Sequence, residues 1–285
     1  MKGFIIKSNM TNYIVYGDDN KRYMCSCNKN IKKNGPIFAG DYVEFENEQI
    51  KEIYPRKNFL LRPRVANIDN IVVIASLVEP VVNELMVNRY FVFLTVNKID
   101  PILLISKSDL VNFPHDKYEQ LKKQYNLMGF EIYKYSAKTG ENIDNIKELF
   151  KGKKVLLAGQ TGVGKSKLIN KILGTENITT QEISHALGRG KHTTTYVEFH
   201  QYKDGWIIDS PGFSYIDFSA LSVNKEQLSL NYPTFNKVKE PCRFSDCKHL
   251  NEPDCAIKEA VKNGIIKTEI YDDYLKILKG MENEK

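Results

Sequence analysis

The chain has 285 residues, 42% hydrophobic and 27% charged, with a formal net charge of +6, a length that favours two or three modest domains over one. No apolar run reaches the roughly 20 residues a membrane span needs, and Met1-Lys2-Gly3-Phe4-Ile5-Ile6-Lys7 lacks the apolar core and cleavage site of a secretory leader, so a cytoplasmic protein is expected. Five cysteines, an odd number, argue against a secreted disulfide scaffold.

The first fifty or so residues read as short strands at Phe4–Ile6, Tyr13–Tyr16, Arg22–Cys27 and Asp41–Phe45. They are rich in aromatic and β-branched residues and are separated by turns such as Gly17-Asp18-Asp19-Asn20 and Asn34-Gly35-Pro36. A small antiparallel barrel of the oligonucleotide-binding (OB) type fits this pattern. Residues 1–64 hold twelve Lys/Arg against seven acids, so most of the chain's positive excess sits there. That asymmetry points to a polyanion such as RNA, with a solvated basic surface as the alternative. Arg56 to Arg64, flanked by Pro55 and containing Pro63, reads as a linker.

From Ile68 onward apolar runs alternate with helical stretches, the pattern of a parallel sheet with crossover helices. Strands are expected at Ile71–Ala75, Ile102–Ile105, Glu131–Tyr135 and Lys154–Ala158, with helices near 83–95, 115–128 and 142–150. Beyond Asp217 the chain turns polar and helical. The expected architecture is multidomain α/β: an OB-type barrel over 1–63, a P-loop nucleotide domain over 64–217 and a helical, metal-binding region over 218–285.

Gly159-Gln160-Thr161-Gly162-Val163-Gly164-Lys165-Ser166-Lys167 follows a strand and opens a helix, the context that gives the Walker pattern its meaning. Its glycines let successive N–H groups turn inward at the positive end of a helix. Lys165 is expected to reach the β- and γ-phosphates and Ser166 to ligate Mg²⁺. Asp209, delivered by the strand Trp206-Ile207-Ile208, is expected in the Mg²⁺ water shell, and the Gly212 N–H at a γ-phosphate oxygen.

Two segments compete to read the base. Asn97-Lys98-Ile99-Asp100 matches the Asn-Lys-x-Asp guanine signature, whereas Ser106-Lys107-Ser108-Asp109 does not. Ligands of α/β folds lie beyond the carboxyl ends of strands. Ser106 directly follows a strand, and Asn97 ends a helix, so Ser106, Lys107 and Asp109 are expected to form the site. Asp109 would accept from guanine N1–H and the N2 amine, donors that adenine lacks. Ser136, Ala137 and Lys138 end the next strand, with the Ala137 N–H expected at guanine O6.

Cys242, Cys247, His249 and Cys255 offer three thiolates and an imidazole within fourteen residues, the ligand set of a closed structural Zn²⁺ site.

The base-reading loops precede the phosphate loop, the reverse of the usual order, so the chain reads as a circularly permuted GTPase joined through 140–152. With the basic barrel, Arg62-Pro63-x-x-Ala66-Asn67-Ile68-Asp69 and the cysteine cluster, it resembles, nearly end to end, the bacterial ribosome small-subunit-dependent circularly permuted GTPases. Ser106 departs from the family's usual Asn, so weaker nucleotide affinity is expected. The resemblance implies a GTP hydrolase of late small-subunit maturation that binds GTP or GDP, Mg²⁺ and one Zn²⁺. It also implies the small subunit and its rRNA as partners, a monomer and no membrane.

Gly188 to Thr195 holds the position of a first switch, where the family pattern and the usual offset favour Thr194 among three threonines as the Mg²⁺ ligand. Phe213 occupies the place where a water-orienting Gln often stands. His192 is the candidate replacement, although a lone loop histidine is more often idle. Two rivals are a nucleotide-gated RNA-binding protein with little hydrolysis and a metabolic P-loop kinase, for which Asp109 would have no base to read.

Overall fold

The computed structural model describes residues 1–8, 12–32, 35–61, 63–97, 99–175, 197–209, 225–235 and 238–283, and every structural statement below concerns these residues. Strands β1 (Lys2–Ser8), β2 (Asn12–Gly17), β3 (Arg22–Cys27), β4 (Tyr42–Glu46) and β5 (Gln49–Ile53) close a barrel in the order β1-β2-β3-β5-β4, with a short helix α1 (Lys29–Lys32). Alternation with period two sends Ile5, Tyr13, Val15, Cys25, Val43, Phe45 and Ile50 into one core. Strand β5 is absent from the sequence-based expectation. Among its residues only Ile50 is fully buried, so its apolar signal is weak, and the turn before it puts Asn47 and Glu48 at φ of +48° and +59°.

The stretch expected to be a linker is instead a hairpin of β6 (Phe59–Leu61) and β7 (Arg64–Ala66), with Pro63 in its turn. The proline that suggested a break marks the reversal, and Leu60, Val65 and Ala66 are buried. Arg56 fastens the preceding segment to the barrel. Its Nε donates to Asp41 Oδ1 at 2.6 Å and its Nη2 to Asp41 Oδ2 at 2.8 Å, and Asp41 is fully buried. A two-point bond of this kind makes burying the carboxylate tolerable. Gly40 is required beside it, because a Cβ there would lie 2.0 Å from the Ala66 carbonyl oxygen.

Next come β8 (Asn70–Ser76), α2 (Glu84–Val96), β9 (Asp100–Ser106), α3 (His115–Met128), β10 (Glu131–Lys134), α4 (Ile143–Phe150), β11 (Lys154–Ala158), α5 (Lys165–Leu173), β12 (Glu198–Tyr202) and β13 (Gly205–Asp209). The six-stranded sheet runs β10-β9-β8-β11-β13-β12, parallel throughout except for the β12–β13 hairpin. Strands β8 and β11 are buried along their whole length, which is why they read as continuous apolar runs. The joint between α4 and β11 is tight. Gly205 lies so close that a Cβ would meet Lys153 N and O at 2.6 Å. Helices α6 (Lys225–Asn231), α7 (Ala256–Lys262) and α8 (Thr268–Asn283) complete the chain. Helix α8 docks on α2 through a hydrogen bond from Asn88 to Asp273, and the Tyr125 hydroxyl donates to the same Asn88 at 2.8 Å.

The barrel meets the sheet at the amino ends of β11 and β13. Phe4 packs against Phe199 and Trp206, and Tyr16 against Trp206 with ring centroids 4.9 Å apart. Lys154 is 7% exposed, and its Nζ lies 3.9 Å from the ring centroids of both Phe4 and Tyr42. Its Nζ has no hydrogen-bond acceptor among the described residues, so the two ring faces take the charge. Burial pushes its pKa from 10.5 down to about 8, against the pull of Asp69 and Asp41.

A depressed lysine pKa means that the folded state binds fewer protons than the unfolded one between pH 8 and 10.5. Stability therefore rises with pH across that window. The expected gain is on the order of 2–3 kcal/mol relative to Lys154→Met, which keeps the apolar stem and cannot titrate. Urea unfolding of both proteins from pH 7 to 10.5 measures it; parallel pH curves would refute the assignment.

Candidate nucleotide and metal sites

Three loops gather at the carboxyl edge of the sheet. The phosphate loop leaves β11 at Gly159, whose φ is +151° and whose Cβ, were there one, would lie 2.3 Å from the Ile74 carbonyl oxygen of β8. Gly162 and Gly164 also sit at positive φ, +85° and +100°. Val163, 1% exposed, pins the loop into the core beneath the sheet. Helix α5 begins at Lys165, so its free N–H groups and dipole face the loop. Gln160, Thr161 and Gly162 lie along the loop, Ser166 is buried on the first turn and Lys167 points outward.

Lys165 Nζ donates to the Gly159 carbonyl at 2.5 Å and to that of Gln160 at 3.5 Å. Desolvation lowers its pKa, with the charge of Asp209 opposing. Asp209 ends β13 and stands in register with Leu157 of β11, two residues before the phosphate loop. It is 4% exposed. Gly212, His192 and Thr194 lie outside the described residues.

The register also locates the two base-reading candidates. On β9, Asp100 pairs with Asn70 and Ser106 with Ser76, while on the other side of β8, Asn70 pairs with Val155 and Val73 with Ala158. Ser106 therefore lies at the phosphate-loop end of the sheet and Asp100 at the opposite end. Asn97 caps α2, its Nδ2 donating to the Phe93 carbonyl at 2.9 Å. Lys98 lies outside the described residues.

Ser106 is 2% exposed, and its hydroxyl donates to the Ala75 carbonyl at 3.0 Å. Lys107 takes a left-handed φ of +63° and sends Nζ to the Glu79 carbonyl. Asp109 is partly exposed beside it. The loop after β10 holds Ser136, whose hydroxyl accepts from the N–H groups of Lys138 (3.2 Å) and Thr139 (3.1 Å), a turn that leaves Ala137 at its bend. Glu141, which no motif flagged, bonds Ser108 across these loops at 2.6 Å. Its only sequence signal is an acid shortly after a strand-end turn.

Cys242, Cys247, His249 and Cys255 form a second centre, with ligand atoms within 4.8 Å of one another. Cys242 Sγ lies 3.6 Å from His249 Nδ1 and 3.9 Å from Cys255 Sγ, and His249 Nδ1 lies 3.3 Å from Cys255 Sγ. Tetrahedral Zn²⁺ with bonds of about 2.3 Å to sulfur and 2.0–2.1 Å to nitrogen implies edges of roughly 3.6–3.8 Å. Donor set and spacing both fit. Left-handed backbone at His249 (φ +58°) and Asp254 (φ +54°) turns the chain back on itself. Tyr274 donates to the Lys248 carbonyl at 2.6 Å and Tyr271 to that of His249, so α8 buttresses the ligand loop.

A family model described as RsgA GTPase matches residues 53–219. A Mycoplasmopsis agalactiae protein named small ribosomal subunit biogenesis GTPase RsgA is 40% identical over 290 residues, covering all of both chains. The Bacillus subtilis protein of that name is 35% identical over 296 residues, covering 100% of this chain and 98% of its own. Among solved structures, YjeQ from Thermotoga maritima superposes with a TM-score of 0.82 at 29% identity, covering 98% of this chain and 97% of its own. A structure of YloQ, titled a circularly permuted GTPase, gives 0.79 at 29% identity, covering 100% and 96%.

Proposed function

Because this chain belongs to the RsgA GTPase family, we propose that it hydrolyses GTP in the biogenesis of the small ribosomal subunit, docking there through its basic barrel and leaving after hydrolysis. One observation carries the reading. The loops after β11, β9 and β10, to which this reading assigns the phosphates and the base, lie at one edge of one sheet in permuted chain order.

In this reading Asp109 accepts from guanine N1–H and N2, the Lys107 stem lies along the purine and the Ala137 N–H donates to O6. Ser106, Ser136 and Lys138 shape the pocket. The N–H groups from Gln160 to Lys167 hold the phosphates. Lys165 exchanges the Gly159 carbonyl for phosphate oxygen, a partner that bears charge. Ser166, Asp209 and Thr194 hold Mg²⁺, which neutralises charge on the β- and γ-phosphates. Gly212 senses the γ-phosphate and His192 orients the attacking water. The cysteine cluster holds one Zn²⁺ as structure, since four ligands leave no open position. The functional units are 1–63, 64–217 and 218–285, acting as a monomer in the cytoplasm. Among the described residues no helix is long and apolar enough to cross a membrane.

Phosphate release measured with and without purified small subunits tests this. Stimulation is expected at roughly 10²–10⁴-fold, the range for a correctly positioned proton-transfer or water-orienting group. His192→Ala is expected to lose most of it. Tight small-subunit binding with no stimulated release would favour the nucleotide-gated RNA-binding alternative.

A further inference from the structure

The two base-reading loops are joined by a bond that none of the nucleotide motifs contains. Ser108 is 8% exposed, and its hydroxyl donates to Glu141 Oε2 at 2.6 Å, the length of a charge-assisted O–H···O⁻ bond. The Ser108 N–H donates to the Tyr135 carbonyl at 3.3 Å, so backbone and side chain both tie this residue to the following loop. Glu141 is itself held. Its N–H donates to Thr139 Oγ1 at 3.3 Å, its carbonyl accepts from the Ser136 N–H at 3.2 Å, and Lys134 Nζ lies 3.6 Å from its Oε1. Ser106 points the other way, its hydroxyl committed to Ala75 of β8. Within the sheet order β10-β9-β8, the β9 loop is thus anchored to β8 through Ser106 and to the β10 loop through Ser108.

We propose that Glu141 is a positioning residue for the guanine base: with Ser108 it fixes the span between the Asp109 carboxylate and the Ala137 N–H, and so sets affinity and selectivity for guanine nucleotides. The inference rests on the base-site reading above. Two groups on different loops must grip one base edge together, and a displacement of about 1 Å between them is costly. Asp109 is covalently next to Ser108, and Ala137 lies between Ser136 and the Glu141 turn, so movement of the latch moves both contacts.

The test compares Ser108→Ala, Glu141→Ala, the double variant, Glu141→Gln and Asp109→Asn as full-length proteins, with GDP, IDP and XDP binding read by calorimetry. Each alanine variant is expected to weaken GDP binding about tenfold, the scale of one charge-assisted bond. The double variant should lose no more than either single one, because both remove the same interaction. Glu141→Gln, whose amide oxygen still accepts, should retain most of the affinity. IDP lacks the N2 amine, so the preference for GDP over IDP should shrink in the alanine variants, and their loss should appear in KM for GTP rather than in kcat. A purely structural bond would change melting temperature without changing that preference. Alanine variants within twofold of the parent, additive losses, or an unchanged preference would overturn the latch. If Asp109→Asn gains no affinity for xanthine nucleotides, the base site is misassigned and the latch falls with it. If Asp109→Asn does switch while the alanine variants bind normally, the latch alone is wrong.

Discussion

Asp109→Asn is expected to lower GDP affinity by roughly 10²–10⁴-fold and to give the chain a new preference for xanthine nucleotides. In the proposed site the Asp109 carboxylate accepts two hydrogen bonds from guanine, each contributing about 1.5–3 kcal/mol when one partner is charged. Losing both is worth about 3–6 kcal/mol, and every 1.4 kcal/mol is tenfold in Kd. Asparagine presents one acceptor and one donor, so its amide N–H₂ would face the guanine N2 amine, donor against donor. Xanthine carries a carbonyl at that position and accepts from the amide, which restores the pair. Asp109 sits on a loop whose neighbours are fixed by Ser106 and Ser108, so the substitution changes chemistry more than geometry. Titration with GDP and XDP measures the switch. The control is Asp100→Asn, at the far end of β9, which should leave both affinities alone. A switch at Asp100 instead would overturn the assignment.

That assignment shows how far sequence carries. The phosphate loop is legible because its chemistry is local: glycines at positive φ, a strand before and a helix after all lie within about twenty residues. The permuted order is legible for the same reason, since it needs only the sequence of motifs. The choice between Asn97–Asp100 and Ser106–Asp109 depends on which end of a strand each segment occupies. The register of β9 on β8 and of β8 on β11 puts Ser106 at the phosphate-loop end of the sheet and Asp100 at the other. Pairings between distant residues leave no mark in the sequence. Ser108 meets Glu141 across 33 residues and Asn88 meets Asp273 across 185. Lys154 opens a buried strand, and nothing local in the sequence marks its enclosure by two barrel rings. Strand β12 is absent from the sequence-based expectation because Glu198-Phe199-His200-Gln201-Tyr202 is half polar, an outer strand exposing one face.

Removing the Zn²⁺ proposed for the cysteine cluster is expected to cost the carboxyl-terminal region its structure while the phosphate loop still binds nucleotide. A Cys₃His site of this kind contributes roughly 10–16 kcal/mol of binding free energy, as much as the whole stability of a typical domain, about 5–15 kcal/mol. The ligand loop has little regular structure over residues 238–255. Its residues are held by the cluster, by Phe235 and Tyr274 against the His249 ring, and by the Tyr271 and Tyr274 hydroxyls. Without the metal, burial holds the Cys247 and Cys255 thiols above their ordinary pKa, so neutral sulfhydryls would replace a charged, coordinated core. Helices α7 and α8 would lose their brace, and α8 in turn its hold on α2. A loss of only about 3 kcal/mol lowers Tm by roughly 6–12 °C in a protein of this size class, so the effect is large even if most binding energy is offset by chain relaxation. Metal analysis should give one zinc per chain. Chelation, or Cys255→Ser, should then produce an early melting step and proteolysis between residues 236 and 256, with GDP binding reduced far less than by Lys165→Ala. A zinc-free chain with the same melting curve and digestion pattern as the parent would show that the cluster does not hold this region together.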